Sequence, residues 1–187
     1  MLIGLVGLPG NGKGTVAKRL AEAHDFRHMK MADTLKNMLR VLLVDYGADA
    51  ETVERIIEGD LKEIPSEFLN GKSGRWAMQA LGTEWGRDCI GPSIWGDIWE
   101  RKVDNLLENM KNVVVDDVRF KNEHDRVKKK GGFIVFVNGR SEAASAHPSD
   151  NMDWMKADYT IENDGSLRDL DLKVDDLLKR IRKDVWE

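Results

Sequence analysis

A glycine-rich stretch near the start of the chain carries the residue types best suited to chemistry. It reads GLPGNGKGT over residues 7–15, with Lys13 near its end. Glycines permit a tight turn and a concave nest of backbone amides, and a lysine adds a mobile cation for phosphate charge. The spacing G-x-x-x-x-G-K predicts a phosphate-binding loop. A glycine-rich turn that binds nothing is the alternative.

The elements on either side of this loop suit phosphate binding. Residues 2–6 form an apolar run typical of a buried strand, and apolar residues recur at helical spacing from Thr15 onward. A helix that begins at the loop directs the positive end of its dipole at a bound anion. Because Gly14 follows the lysine, the loop resembles that of adenylate-kinase-type nucleoside monophosphate kinases. That resemblance makes Thr15 a candidate for the Mg²⁺ shell.

Two neighbouring carboxylates are the next chemical feature. Asp116 and Asp117 follow the run NVVV (112–115), which is typical of a strand buried on both faces. Carboxylates at the end of such a strand could hold Mg²⁺ or its waters. Adjacent strand residues point to opposite faces, so the sequence leaves open which aspartate serves. Two solvated aspartates in a turn are the alternative.

Cations and an amide on other segments could hold an acceptor substrate. Arg119 lies just past the aspartates, and an arginine can clamp a phosphate through two parallel hydrogen bonds. A surface ion pair with Glu123 is its alternative role. If residues 74–87 are helical, Arg75 and Gln79 share a face, suited to a phosphate and a base edge. The acceptor-side candidates are Lys36, Arg75, Gln79, Arg87 and Arg119.

The elements that must position these residues alternate between strand-like and helix-like patterns. This alternation predicts an α/β fold with a parallel, right-handed sheet, helices on both faces and ligands at the carboxyl ends of the strands. The predicted strands are 2–6, 26–31, 112–117, 133–137 and 158–162. The predicted helices are 13–23, 33–46, 50–58, 76–88, a long helix after Ser93, 123–130 and 166–183. Residues 59–74 are predicted to be an exposed loop. The apolar stripe of the long helix, which includes Trp95, Trp99, Val103 and Met110, is predicted to pack in a core.

Bulk composition excludes several classes of protein. The 187 residues suffice for one α/β domain, and 41% hydrophobic with 33% charged residues is typical of a soluble globular chain. A net charge of -4 argues against non-specific nucleic-acid binding, and the opening apolar run is too short to span a membrane. One cysteine, Cys89, argues against a disulfide framework. We therefore expect a cytoplasmic protein without nucleic-acid or membrane partners.

Across most of its length the chain resembles the bacteriophage deoxynucleoside monophosphate kinases, a branch of the P-loop kinases. The motifs that carry the resemblance are GLPGNGKGT, ADTLK, QALGTEWGR, VVVDDVRFKNE and IENDGSL. The resemblance implies a single three-layer P-loop NTPase domain over residues 1–187. It would contain a helical monophosphate-binding insert at about 33–111 and a short lid at about 138–157. The implied activity is Mg²⁺-dependent transfer of the γ-phosphate of ATP to a deoxynucleoside monophosphate (dNMP), giving dNDP and ADP.

The resemblance also implies roles for individual residues. Arg140 would belong to the lid, and the loop that contains Asn163 and Gly165 would pass the ATP base. The nucleotide-binding candidates are Gly10, Asn11, Gly12, Lys13, Gly14, Thr15, Asn163 and Gly165. The catalytic candidates are Lys13, Asp117, Arg119 and Arg140, and the metal candidates are Thr15 and Asp116.

Two other functions stay open at this stage. One is a related small-molecule P-loop kinase, such as a dephospho-coenzyme A or phosphomevalonate kinase. The other is a regulator in which ATP drives a change of shape and no acceptor is phosphorylated. The acceptor-side cations favour a kinase, because a regulator does not need them. A homodimer is compatible with the sequence, and a phage-encoded enzyme would act in the host cytoplasm.

Overall fold

A sheet of five parallel strands organises the computed structural model, which describes residues 1–139 and 155–186. Its strand order is β2-β5-β1-β6-β7. In chain order the strands are β1 (Leu2–Val6), β2 (Phe26–His28), β3 (Pro65–Ser66), β4 (Lys72–Ser73), β5 (Asn112–Val115), β6 (Phe133–Gly139) and β7 (Tyr159–Asn163). The predicted parallel α/β sheet is therefore confirmed.

The central strand β1 is buried along its whole length, as its continuous apolar sequence requires. It pairs in parallel with β5 on one side and with β6 on the other. Gly4 lies opposite Val115, and Val6 lies opposite Phe136. The segments that follow β1, β5 and β6 therefore leave the sheet at the same edge, where the phosphate loop and the two aspartates lie.

Helices connect these strands close to the predicted positions. They are α1 (Lys13–His24), α2 (Asp33–Asp45), α3 (Ala50–Ile57), α4 (Gly74–Ala80), a π-helix (Leu81–Ile90), α5 (Ile94–Glu108), α6 (Lys121–Lys129) and α7 (Leu167–Trp186). Helices α1 and α7 contribute apolar side chains to the core around the sheet, among them Val16, Leu20 and Val174.

Four predicted features differ from the structure. The strand expected over 112–117 ends at Val115, so the two aspartates lie past its end. The strand expected over 26–31 ends at His28. The expected loop at 59–74 contains the antiparallel pair β3 and β4 with a short 3₁₀ turn, Glu67–Leu69, between them. Strands of two residues are too short to give an alternating pattern. The stripe residue Met110 is 92% exposed, because the chain turns left-handed there, at φ 55°, past the end of α5.

The other prediction for α5 is confirmed, since Trp95, Trp99 and Val103 are all buried. The π-helix at Leu81–Ile90 was expected only as helix. Gly86 packs against the indole of Trp95, where an added Cβ would lie 2.4 Å from Cζ2. The same indole donates a hydrogen bond from Nε1 to the carbonyl of Gly82 at 2.8 Å. These two contacts fix the unusual turn against the start of α5.

The chain divides into two compact units. One comprises Met1–Lys30 with Trp99–Glu187 and holds the parallel sheet, and the other is the continuous segment Met31–Ile98. The second unit has its own apolar core, which includes Leu39, Leu43 and Ile56. The insert at 33–111 stays a prediction. The predicted lid lies mostly outside the described residues, and Arg140 is among those not described. No helix in the described ranges is long and apolar enough to cross a membrane.

Candidate active site

The loop between β1 and α1 has the backbone geometry that the sequence predicts. Gly12 adopts φ 94° and ψ 13°, a left-handed conformation that favours glycine, and it stands at the N-cap of α1. A Cβ at this position would lie 2.4 Å from Nδ2 of Asn163. Glycine offers no side chain to cap the helix, so it leaves the way to the first-turn amides of α1 open for a ligand.

The ammonium of Lys13 lies over this loop. Its Nζ donates hydrogen bonds to the carbonyl of Gly7 at 2.6 Å and to that of Leu8 at 2.9 Å. A phosphate oxygen is a stronger acceptor for an ammonium than a neutral carbonyl, because the bond joins two charges. Lys13 is therefore held where it can exchange loop carbonyls for phosphate oxygens.

Two asparagines tie the loop to the sheet. Asn11 is only 2% exposed. Its Nδ2 donates to the backbone carbonyl of Val137 at 3.3 Å, and its backbone carbonyl accepts from Nδ2 of Asn163 at 3.0 Å. Gly139 allows this close packing, since a Cβ there would lie 2.7 Å from Cα of Asn11. The buried Oδ1 of Asn11 accepts no hydrogen bond from any described residue. The loop is thus fixed to the carboxyl ends of β6 and β7.

The first of the two aspartates that follow β5 lies beside the phosphate loop. Oδ2 of Asp116 lies 3.6 Å from the position that a Cβ would take on Gly14, beside the first turn of α1. Oδ1 of Asp116 lies 2.9 Å from Nε2 of His28, although these two atoms lack hydrogen-bond geometry. The carboxylate of Asp116 therefore borders the phosphate loop, near the partly buried Thr15.

These residues suit a magnesium ion that keeps water and substrate ligands. In the described part of the chain no three histidine, cysteine or acidic side chains cluster to hold a metal by themselves. Mg²⁺ ordinarily takes one or two protein carboxylates together with waters and substrate phosphates. Asp116 beside the phosphate loop fits that mode of binding.

Arg119 lies in the turn between β5 and α6. Its backbone amide donates to Oε2 of Glu123 at 2.8 Å, and the amide of Phe120 donates to the same oxygen at 3.1 Å. Glu123 is only 3% exposed, so it is not the surface carboxylate that the alternative role of Arg119 required. Glu123 instead fixes the turn that carries the partly buried arginine.

The remaining acceptor-side candidates lie in the second unit, Met31–Ile98. Arg75 and Gln79 are on the same helix, α4, as predicted. Nε of Arg75 donates to Oε1 of Glu63 at 2.9 Å, and Nη1 of Arg87 donates to the carbonyl of Pro92 at 2.9 Å. Lys36 is 7% exposed, and its ammonium is engaged by a carboxylate of the same unit.

The predicted base-side loop follows β7. Asn163 reaches the phosphate loop through the hydrogen bond to Asn11 described above. Gly165 is exposed next to the start of α7, where Asp169 accepts hydrogen bonds from the amide and the hydroxyl of Ser166. Of these two candidates, only Asn163 has a recorded contact with the phosphate loop.

Sequence reasoning singled out neither His28 nor Lys62. His28 ends β2, a strand that pairs with β5 through His28 and Val114. Adjacent parallel strands end at the same edge of a sheet, so the bounds of β2 would have placed His28 near Asp116. Lys62 lies in the segment that was predicted only as a loop.

Fold and loop together define a P-loop kinase, a phosphotransferase acting on nucleotides or small molecules. A similar solved structure is the dephospho-CoA kinase from Campylobacter jejuni, with a TM-score of 0.50 at 16% identity over 97% of both chains. That likeness concerns the fold alone. The chain belongs to the deoxynucleotide monophosphate kinase family, whose sequence model matches residues 43–174.

Two curated relatives extend this comparison. A protein of Acanthamoeba polyphaga mimivirus, described as a candidate deoxynucleotide monophosphate kinase, is 32% identical over 80% of this chain and 80% of its own length. A UPF0200 protein of Sulfurisphaera tokodaii is 24% identical over 96% of this chain and 97% of its own length. The family match begins after the phosphate loop, so the assignment of that loop depends on its own residues and geometry.

Proposed function

We propose that this protein transfers the γ-phosphate of ATP to a deoxynucleoside monophosphate, giving dNDP and ADP. One observation carries the proposal: a glycine loop held by Asn11 and Asn163 presents Lys13 and first-turn helix amides, with the carboxylate of Asp116 beside Gly14. Membership of the deoxynucleotide monophosphate kinase family supports the choice of acceptor.

The loop residues would bind and orient the polyphosphate. Backbone amides and Lys13 suit the β- and γ-phosphate oxygens, because phosphoryl transfer depends on positioning and charge neutralisation more than on covalent chemistry. Mg²⁺, when bound by Thr15 and Asp116 with its waters, would supply further neutralisation of phosphate charge. Asp117 keeps its predicted catalytic role, and it is the alternative to Asp116 as the metal ligand.

The acceptor side requires cations that hold a second phosphate. We assign Arg75, Arg87 and Arg119 to binding the monophosphate, since each is partly buried and is hydrogen-bonded to a neighbouring residue through its side chain or backbone. Gln79, on the same helix as Arg75, suits a base edge. Arg140, which lies outside the described residues, is assigned to closure of the site because water must be excluded until both substrates are bound.

A coupled assay for ADP release tests this function. ATP and Mg²⁺ are supplied with each of the four dNMPs, the ribonucleoside monophosphates and dephospho-coenzyme A in separate reactions. We expect ADP formation to depend on a dNMP and to stop when Lys13 is replaced by alanine. ADP formed with dephospho-coenzyme A and with no nucleotide would replace this function with the small-molecule alternative. ATP binding without turnover for any acceptor would favour a regulator.

A further inference from the structure

A cluster of charges in the second unit contains one cation more than it has carboxylates. The cations are Lys36, Lys62 and Arg75, and the carboxylates are Glu58 and Glu63. Nζ of Lys36 lies 2.6 Å from Oε1 of Glu58, and Nε of Arg75 lies 2.9 Å from Oε1 of Glu63. Each of these two carboxylates is therefore paired with another cation. Lys62 is the cation of this cluster whose charge no paired carboxylate balances.

Lys62 is partly buried, and its ammonium makes no hydrogen bond or ion pair with any described residue. Its backbone, in contrast, is held firmly. The amide of Lys62 donates to the carbonyl of Gly59 at 3.3 Å, and the amide of Arg75 donates to the carbonyl of Lys62 at 2.8 Å. The backbone of Lys62 is thus hydrogen-bonded to Arg75 in the first turn of α4.

The electrostatics around Lys62 agree with this geometry. Burial, then the charges of Arg75 and Lys36, lower the pKa of Lys62 to about 8, against the opposing influence of Glu58 and Glu63. A lysine with a lowered pKa and two cationic neighbours is repelled when charged. A bound anion would relieve that repulsion and would raise the pKa of Lys62 again.

Arg75 has donor capacity left for such an anion. Among the described residues its guanidinium engages Glu63 through Nε alone. The nitrogens Nη1 and Nη2 can form the paired hydrogen bonds that a phosphate accepts, and an ammonium contributes a compact charge to the same oxygens. An anion with several oxygens and two negative charges matches this combination better than a singly charged carboxylate.

We propose that Lys62 is a further acceptor-binding residue, whose ammonium joins Arg75 in holding a phosphate monoester. The inference rests on the proposed function, because the monoester is taken to be the phosphate of the dNMP acceptor. Lys36 contributes indirectly, since its pairing with Glu58 keeps that carboxylate from neutralising Lys62.

The test compares three variants by isothermal titration calorimetry and steady-state kinetics. Lys62→Gln removes the charge, and Lys62→Arg keeps it at every accessible pH. Lys72→Gln is the matched control, since Lys72 is an exposed lysine of the same unit whose recorded contact is with the ring of Trp76. The ligands are the four dNMPs, the four deoxynucleosides and inorganic phosphate.

We expect Lys62→Gln to weaken dNMP binding by about ten- to a hundredfold, the effect of losing a charged hydrogen bond. Deoxynucleoside binding and the Lys72→Gln variant should be unaffected. Between about pH 7 and pH 9.5, dNMP affinity of the unchanged protein should fall as Lys62 loses its proton. Lys62→Arg should retain its dNMP affinity at the upper end of this range. In Lys62→Gln the dNMP affinity should not show the fall that deprotonation of Lys62 causes.

The outcomes separate the inference from the proposed function. If dNMPs are phosphorylated while Lys62→Gln keeps the KM, the calorimetric affinity and the pH profile of the unchanged protein, the inference is wrong and the function stands. If no dNMP is phosphorylated but Lys62→Gln alone abolishes phosphate binding, the anion site stands and the function is wrong. Absence of dNMP and phosphate binding to the unchanged protein would refute the site.

Discussion

Replacement of Gly12 by alanine tests how closely the phosphate loop is fitted to the sheet. The new Cβ would lie 2.4 Å from Nδ2 of Asn163, a distance at which one group has to move. The backbone at φ 94° also disfavours any residue with a side chain. Both effects act on the same contact, because the hydrogen bond from Asn163 to Asn11 holds the loop in place.

The expected loss of stability is the sum of these two effects. A left-handed conformation costs an L-residue about 1–2 kcal/mol, and loss of the hydrogen bond from Asn163 to Asn11 costs about 1 kcal/mol more. Gly12→Ala should therefore lower the free energy of unfolding by about 2–3 kcal/mol. In a chain of this size that corresponds to a fall in Tm of about 4–12 °C.

Urea unfolding followed by circular dichroism measures this change, with Gly14→Ala as the matched control. Gly14 is helical, and a Cβ there meets only Oδ2 of Asp116 at an ordinary 3.6 Å. The free energy of unfolding of Gly14→Ala should therefore be unchanged or slightly raised. Asn163→Ala in the Gly12→Ala background should cost no further stability, because the hydrogen bond to Asn11 that it removes is already lost. Equal stability of Gly12→Ala and the unchanged protein would refute the reasoning. Additive losses of stability from Gly12→Ala and Asn163→Ala would also refute it.

Three further predictions concern Lys13, the aspartates after β5, and the contact between α1 and α7. Lys13→Ala should lower kcat about a hundredfold or more in steady-state assays with an unchanged circular dichroism spectrum, because a cation beside the transferring phosphate is lost; undiminished turnover would contradict the phosphate-loop assignment. Asp116→Asn should raise the Mg²⁺ concentration needed for half-maximal rate while Asp117→Asn changes it little; a larger effect at Asp117 in Mg²⁺ titrations would reverse the assignment. Asp175→Asn should lower the free energy of unfolding by about 1 kcal/mol at pH 7, because the carboxylate of Asp175 on α7 pairs with Arg19 of α1 at 2.7 Å. Arg19 and His24 lower the pKa of Asp175 to about 2, so the difference should disappear as unfolding is measured from about pH 4 down to pH 2. Asp176→Asn is the control, because Asp176 is an exposed carboxylate of α7 that pairs with Lys179.

The sequence predicted the sheet and the phosphate loop because both have local signals. Apolar runs mark β1, β5 and β6, and the loop motif is contiguous from Gly7 to Lys13. The choice between Asp116 and Asp117 could not be made in this way. The position of the Asp116 carboxylate beside α1 follows from the pairing of β5 with β1, over a hundred residues apart in sequence.

Other features of the candidate site depend on tertiary packing. Helical periodicity predicted a helix near Trp85, but only the packing of Gly86 against Trp95 distinguishes a π-helix from an α-helix there. The unbalanced charge of Lys62 arises because Glu58 and Glu63 are engaged elsewhere. No pattern in the sequence tells which carboxylate a given cation will take.

The division of the chain into units implies an order of events during synthesis on the ribosome. The segment Met31–Ile98 is continuous, so it can fold as soon as it emerges, whereas β1 must wait for β5 and β6, which come from residues 112–139. The phosphate loop waits longer still, because its anchor Asn163 ends β7. An emerging chain therefore carries an unsupported apolar strand until β5 and β6 have been made. A nucleotide bound at this loop would stabilise the fold only after β7 has emerged, when the contact between Asn163 and Asn11 can form.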